Sequence, residues 1–147
     1  MFSNVLIVCY ANICRSPAAE VVFKALHERT SSKRVVYRSA GIRAFDGMRM
    51  DAVMESLLIE RGLPIGKHHS RRLSAAMVRD ADLVLVAERR QIAQIEALER
   101  TSRGKVFALG NWERVDVNDP HGKAESSYRE TLSLIERLAA GWIDRIC

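Results

Sequence analysis

The sequence predicts an α/β fold: a single domain over residues 1–147, with a central four-stranded parallel sheet and helices on both faces. Three observations predict it. Short, wholly apolar runs occur at Val5–Val8, Leu83–Val86 and Val106–Leu109, as expected of strands buried on both faces. Segments of helical period lie between them. The alternation continues along the whole chain, with no repeat, low-complexity tract or linker to divide it.

The elements follow in order. Val5–Val8 is the first strand. Pro17 to about Thr30 reads as a helix, with Ser16-Pro17 as its cap and first-turn signal. Val35–Ser39 is β-branched and aromatic, the second strand. Asp51 to Arg61 sets Val53, Met54, Leu57 and Leu58 on one face, and Gly62 ends it. Leu83–Val86 is the third strand, and Arg89 to about Arg100 a helix with Ile92, Ile95 and Leu98 at helical spacing. Val106–Leu109 is the fourth strand. The last helix, about Glu125 to Arg145, aligns Tyr128, Leu132, Ile135, Leu138 and Trp142 in one stripe.

Composition narrows the function classes. Hydrophobic residues make up 48% and charged residues 28%, as in ordinary globular domains. The apolar runs fall far short of the ~18–20 residues that span a bilayer, so no membrane insertion is expected. No basic segment followed by a long apolar stretch opens the chain, so no secretory signal is expected. Three cysteines do not form a disulfide framework, which points to a reducing cytoplasm. The net charge of +5 admits nucleic-acid binding. The densest basic cluster, Lys67 to Arg72, has no interleaved aromatics to stack bases, so no nucleic-acid partner is expected; attraction of an anionic substrate fits the charge as well.

The stretch "VLIVCYANICRSPAAE" (Val5–Glu20) carries the chemistry. A cysteine closing an apolar strand is most often a core thiol. Cys9, however, lies between a strand and a helix, where ligands of parallel α/β sheets sit. Unpaired N–H groups and the dipole at the helix start make the turn an anion cradle, a phosphate-binding loop after the first strand. Arg15, at Cys-x5-Arg spacing, can add a bidentate fork, and Ser16 can donate to a thiolate. Nucleophile and oxyanion clamp thus share one short loop.

The motif "VCYANICRSPAAE" resembles the signature of the low-molecular-weight protein tyrosine phosphatases, Val-Cys-x-Gly-Asn-x-Cys-Arg-Ser-Pro. Further matches are "SAG" at Ser39–Gly41, "GMRMD" at Gly47–Asp51, "HHSRRL" at His68–Leu73, "ADLVLV", and the Asp-Pro pair of "NDPHGK". The ending is similar to the bacterial branch that works with tyrosine autokinases in exopolysaccharide and capsule production. The resemblance implies cofactor-free, metal-free hydrolysis of a tyrosine-phosphorylated protein, a membrane tyrosine autokinase in that branch. Cys9 would be the nucleophile, Arg15 the oxyanion clamp and Asp119 the general acid. The residue types alone leave Asp116 open as well; the family pattern selects Asp119 because it precedes Pro120. Tyr10, Ala11, Asn12, Ile13, Cys14 and Ser16 would complete the phosphate loop, with Ser39 and His68 as its supports. Tyr10, Phe45 and His121 would line the substrate cleft.

Two departures stand out. His121 replaces the usual tyrosine, and Ala11 the signature glycine. If position 11 needs a positive φ, alanine costs roughly 1 kcal/mol there. The resemblance also implies a reversible Cys9–Cys14 disulfide that protects the nucleophile. Two other readings use the same loop. Thiol-linked arsenate reductases share the fold but need further cysteines downstream, and none lies between Cys14 and Cys147. A non-catalytic phosphate-binding module would need neither Cys9 nor Asp119.

Overall fold

The computed structural model describes residues 2–147. Its elements are β1 (Asn4–Cys9), α1 (Arg15–Thr30), β2 (Val36–Gly41), α2 (Ala52–Glu60), α3 (Ala75–Asp80), β3 (Leu83–Val86), α4 (Gln91–Leu98), β4 (Val106–Ala108) and α5 (Glu125–Ile146), with a short 3-10 turn at Arg100–Ser102. The strands form one four-stranded sheet in the order β2-β1-β3-β4, and every pairing is parallel.

The side-chain alternation of β1 sorts the two faces. Val5, Ile7 and Cys9 point toward α1, α2 and α5, where Phe23, Met54, Leu58, Leu132 and Ile135 fill the larger core. Leu6 and Val8 point the other way, onto Val78 of α3 and Ile95 of α4. Both faces are apolar because both are covered. Ala18 and Ala19 are fully buried at the start of α1, and their small side chains let that helix lie close on the sheet. Among the described residues, no helix is long and apolar enough to cross a membrane.

From β1 the chain crosses to β2 on one side, then returns past β1 to β3 on the other. The turn after Cys9 therefore sits at the switch point of the sheet, where flanking connections diverge and leave a crevice. The register sets Cys9 opposite Gly41. A Cβ built on Gly41 would lie 2.8 Å from Tyr10 O, Ala11 C and Asn12 N. The glycine of "SAG" is thus required by the close approach of the loop backbone. Gly41→Ala is expected to displace the loop and to lower the aryl phosphate turnover that the resemblance implies by about 10²-fold, the usual effect of a ~1 Å misplacement. Turnover and thermal unfolding, measured together, check it: a global stability loss without a selective activity loss would contradict this role.

Several sequence expectations need correction. Helix α1 begins at Arg15, two residues before Pro17, and Cys14 rather than Ser16 is its N-cap residue. Pro17 is tolerated in the first turn because its missing N–H has no helical acceptor there. Val53 is exposed, while Met54, Leu57 and Leu58 are buried. The inward stripe of α2 thus excludes Val53. Leu98, the last residue of α4, is also exposed. Helix α3 was not anticipated: it spans six residues, too few for a periodic signal, and is announced only by Ser74, whose Oγ accepts from Met77 N at 3.2 Å.

Candidate active site

The loop Cys9–Arg15 wraps around Asn12. Asn12 has φ of 57°, in the left-handed region that asparagine tolerates better than most residues. Ala11 has no positive φ, so the strain expected at position 11 is absent; the demand falls one residue later. Asn12 is fully buried and its polar groups are engaged. Its Nδ2 donates to Ser16 Oγ at 2.8 Å and Ser39 Oγ at 3.0 Å. Its Oδ1 accepts from Arg71 N at 2.9 Å. Its carbonyl lies 2.7 Å from His68 Nε2. A carbonyl only accepts, so His68 carries its proton on Nε2. Ser39 in turn donates to Glu20 Oε1 at 2.7 Å. Ser39 and His68 therefore both touch the loop through Asn12.

Cys9 is 2% exposed, yet its sulfur is not in purely apolar surroundings. Ser16 Oγ lies 2.9 Å from Sγ, and Asn12 N donates to it at 3.3 Å. Cys14 differs. Burial chiefly, and then the carboxylates of Asp51 and Asp119, push its thiol well above the ordinary range, so it is a neutral thiol at rest. Both are free cysteines.

Arg15 is 4% exposed. Its NH1 donates to Glu88 Oε2 at 2.7 Å and to Val117 O at 2.9 Å. Its NH2 lies 4.0 Å from Asp119 Oδ2. One nitrogen is thus anchored, which leaves the rest of the guanidinium for an oxyanion. Burial alone would raise the Glu88 carboxyl, but hydrogen bonds from Arg15 and Arg90, with their charges, hold it below the ordinary carboxylate range. Glu88 N donates to Oε1 of the buried Gln91 at 2.9 Å. Neither Glu88 nor Gln91 was anticipated from sequence. The available signal was an acid just beyond the carboxyl end of a buried strand, "LVLVAE".

The two candidate acids separate. Asp116 accepts from Arg89 N at 2.9 Å and Arg89 Nε at 3.3 Å. Asp119, half exposed, is the one beside Arg15. Its Oδ1 accepts from His121 N at 3.0 Å. Tyr10 and Phe45 are 52% and 78% exposed, and their loops are joined by Arg43 N donating to Tyr10 O at 2.9 Å. His121 reaches a carboxylate: its Nδ1 lies 2.5 Å from Asp51 Oδ2.

A strand–loop–helix turn that joins a cysteine, an anchored arginine and a nearby carboxyl can be compared with known families. The family model described as "Low molecular weight phosphotyrosine protein phosphatase" matches residues 4–147. The chain belongs to this family. Among phosphatase relatives, it is 34% identical to the probable low molecular weight protein-tyrosine-phosphatase EpsP of Ralstonia nicotianae, over 99% of this chain and 97% of that protein. The phosphatase fold matches the crystal structure of the tyrosine phosphatase Wzb from Escherichia coli K30 in complex with sulphate, with a TM-score of 0.90, 28% identity and full coverage of both chains. It also matches the YwlE arginine phosphatase, solved as an active-site Cys-to-Ser mutant with a phosphorylated serine, with a TM-score of 0.91, 29% identity and coverage of 97% and 95%.

Proposed function

We propose that the protein hydrolyses phosphotyrosine in a protein substrate through a cysteinyl-phosphate intermediate. The observation that carries this reading is the meeting of three groups: the Cys9 sulfur with its Ser16 and Asn12 partners, the anchored Arg15, and Asp119 at 4.0 Å from it. The Cys9 thiolate attacks phosphorus in line, and the S–P bond forms as the bond to the tyrosyl oxygen breaks. Loop N–H groups and Arg15 hold the equatorial oxygens. Asp119 gives its proton to the departing phenoxide. A water then attacks phosphorus, Asp119 takes its proton, and phosphate leaves with the thiolate regenerated.

The phosphorylated serine that replaces an active-site cysteine in the YwlE mutant supports covalent attack by a cysteine in this fold. The name EpsP and the resemblance to the capsule branch support a role in exopolysaccharide or capsule production, with a membrane tyrosine autokinase as substrate and a cytoplasmic location. The arsenate reading is disfavoured by the place of the third cysteine. Cys147 Sγ lies 3.4 Å from His27 Nδ1, which also contacts Tyr37. Tyr37 pairs with Val5, four residues and about 13 Å below Cys9 along the sheet.

The test is vanadate-sensitive dephosphorylation of matched peptides carrying phosphotyrosine, phosphoserine or phosphoarginine. Phosphotyrosine is expected to react fastest, because the recessed sulfur suits a long aryl ester. Equal turnover of phosphoserine overturns the tyrosine assignment, and a preference for phosphoarginine moves the protein to YwlE-like chemistry.

The redox reading also belongs here. Peroxide would oxidise Cys9 to a sulfenic acid, and the Cys14 thiol would displace water from it to give the disulfide. Peroxide-inactivated protein is expected to recover fully with a thiol reductant, and Cys14→Ser to recover far less. Equal recovery would exclude the protective disulfide.

A further inference from the structure

The turn that carries Asp119 is held at two points, and both lead to one carboxylate. The turn itself is closed: His121 N donates to Asp119 Oδ1 at 3.0 Å and Lys123 N to Pro120 O at 2.9 Å. Its first anchor is the His121 side chain, with Nδ1 2.5 Å from Asp51 Oδ2. Its second is Gly122 N, which donates to Tyr128 OH at 3.2 Å; that hydroxyl donates to the same Asp51 Oδ2 at 2.8 Å. Asp51 is itself fixed. Its Oδ1 caps α2, accepting from Val53 N and Met54 N. Its backbone N–H donates to Ile13 O of the phosphate loop at 2.7 Å. Burial alone would raise the Asp51 carboxyl, but the hydrogen bonds from His121, Met54 and Tyr128 keep it ionised. The ionised oxygen accepts, so the His121 Nδ1–H is the donor. The chain of contacts runs from phosphate loop to Asp51, to His121, to Asp119.

We propose that His121 is a positioning residue that fixes the general-acid turn against the phosphate loop by donating to Asp51. This inference rests on the proposed role of Asp119. The His121 side chain is 55% exposed, so the imidazole fills no core space. The hydrogen bond to a charged acceptor is of the stronger kind. Loss of the latch leaves the turn with its internal His121 N–Asp119 Oδ1 bond and the single Gly122–Tyr128 anchor, and the Asp119 contact to Arg15, at 4.0 Å, is too long for a direct hydrogen bond to replace it. A freer turn places the carboxyl less often within reach of the leaving oxygen, and proton donation suffers before phosphate binding does.

The dependence of kcat/KM on leaving-group acidity reads this out. Aryl phosphates ranging from phenyl phosphate to p-nitrophenyl phosphate are given to wild type, His121→Ala, His121→Asn and Asp119→Asn. A positioned acid makes the rate nearly indifferent to the phenol; a misplaced one makes poor leaving groups slow. His121→Ala is expected to slow phenyl phosphate roughly 10-fold more than p-nitrophenyl phosphate. His121→Asn, whose amide N–H stands where Nδ1–H does, is expected to recover most of that difference. A uniform loss across the series, no loss, or a His121→Asn variant no better than His121→Ala overturns the proposal. Asp119→Asn is the internal control. If it fails to steepen the series, the acid assignment falls and the latch falls with it. If it steepens the series while His121→Ala does not, only the latch falls. Thermal unfolding of each variant, expected close to wild type, separates positioning from folding.

Discussion

Cys9→Ser is expected to leave no measurable turnover of p-nitrophenyl phosphate or of a phosphotyrosine peptide. The substitution is nearly isosteric, and it keeps the neighbours that face the sulfur, Ser16 Oγ at 2.9 Å and Asn12 N at 3.3 Å. What it removes is the nucleophile. A thiolate is intrinsically nucleophilic, far more so than a neutral hydroxyl. A serine hydroxyl with no adjacent general base gains little from the same neighbours. The variant should still fold and bind inorganic phosphate, since the loop amides and Arg15 remain. Continuous release of p-nitrophenol by the purified variant is the measurement. Turnover near wild type would remove Cys9 from the mechanism.

The second large effect is expected at Asp119. Asp119→Asn should reduce aryl phosphate hydrolysis by roughly 10²–10⁴-fold, the usual contribution of a placed general acid. Asparagine preserves size and the acceptor for His121 N, so the loss is of a proton rather than of a turn. Asp116→Asn supplies the contrast. That carboxylate holds Arg89 at the surface, and its replacement is expected to leave the rate near wild type, since exposed pairs contribute little. An inversion of the two results would transfer the acid to Asp116.

The strands were legible because burial on both faces leaves unbroken apolar runs, as at Val5–Val8 and Leu83–Val86. The loop was legible because its chemistry is contiguous: cysteine, arginine and serine lie within eight residues of sequence. Its supports are not contiguous. Glu88 meets Arg15 across 73 positions and His121 meets Asp51 across 70, and no local pattern couples such pairs. Gly41 illustrates the same limit. Its place in "SAG" was visible, but the backbone that crowds it arrives from a neighbouring strand's turn. The expectation at Ala11 erred for a related reason. Motif comparison assigns the unusual backbone to the glycine position, whereas the torsion sits at Asn12, whose side chain is bonded on every side.

That saturation of Asn12 has a thermodynamic corollary. A loop whose central residue is fully buried and already bonded through its amide, its carbonyl and its side chain has little conformational freedom left to surrender. The ordering entropy is settled when the chain folds, so an arriving oxyanion meets a finished mould rather than inducing one. Affinity for an anion as small as phosphate then comes from contacts alone, undiminished by the cost of shaping the receptor.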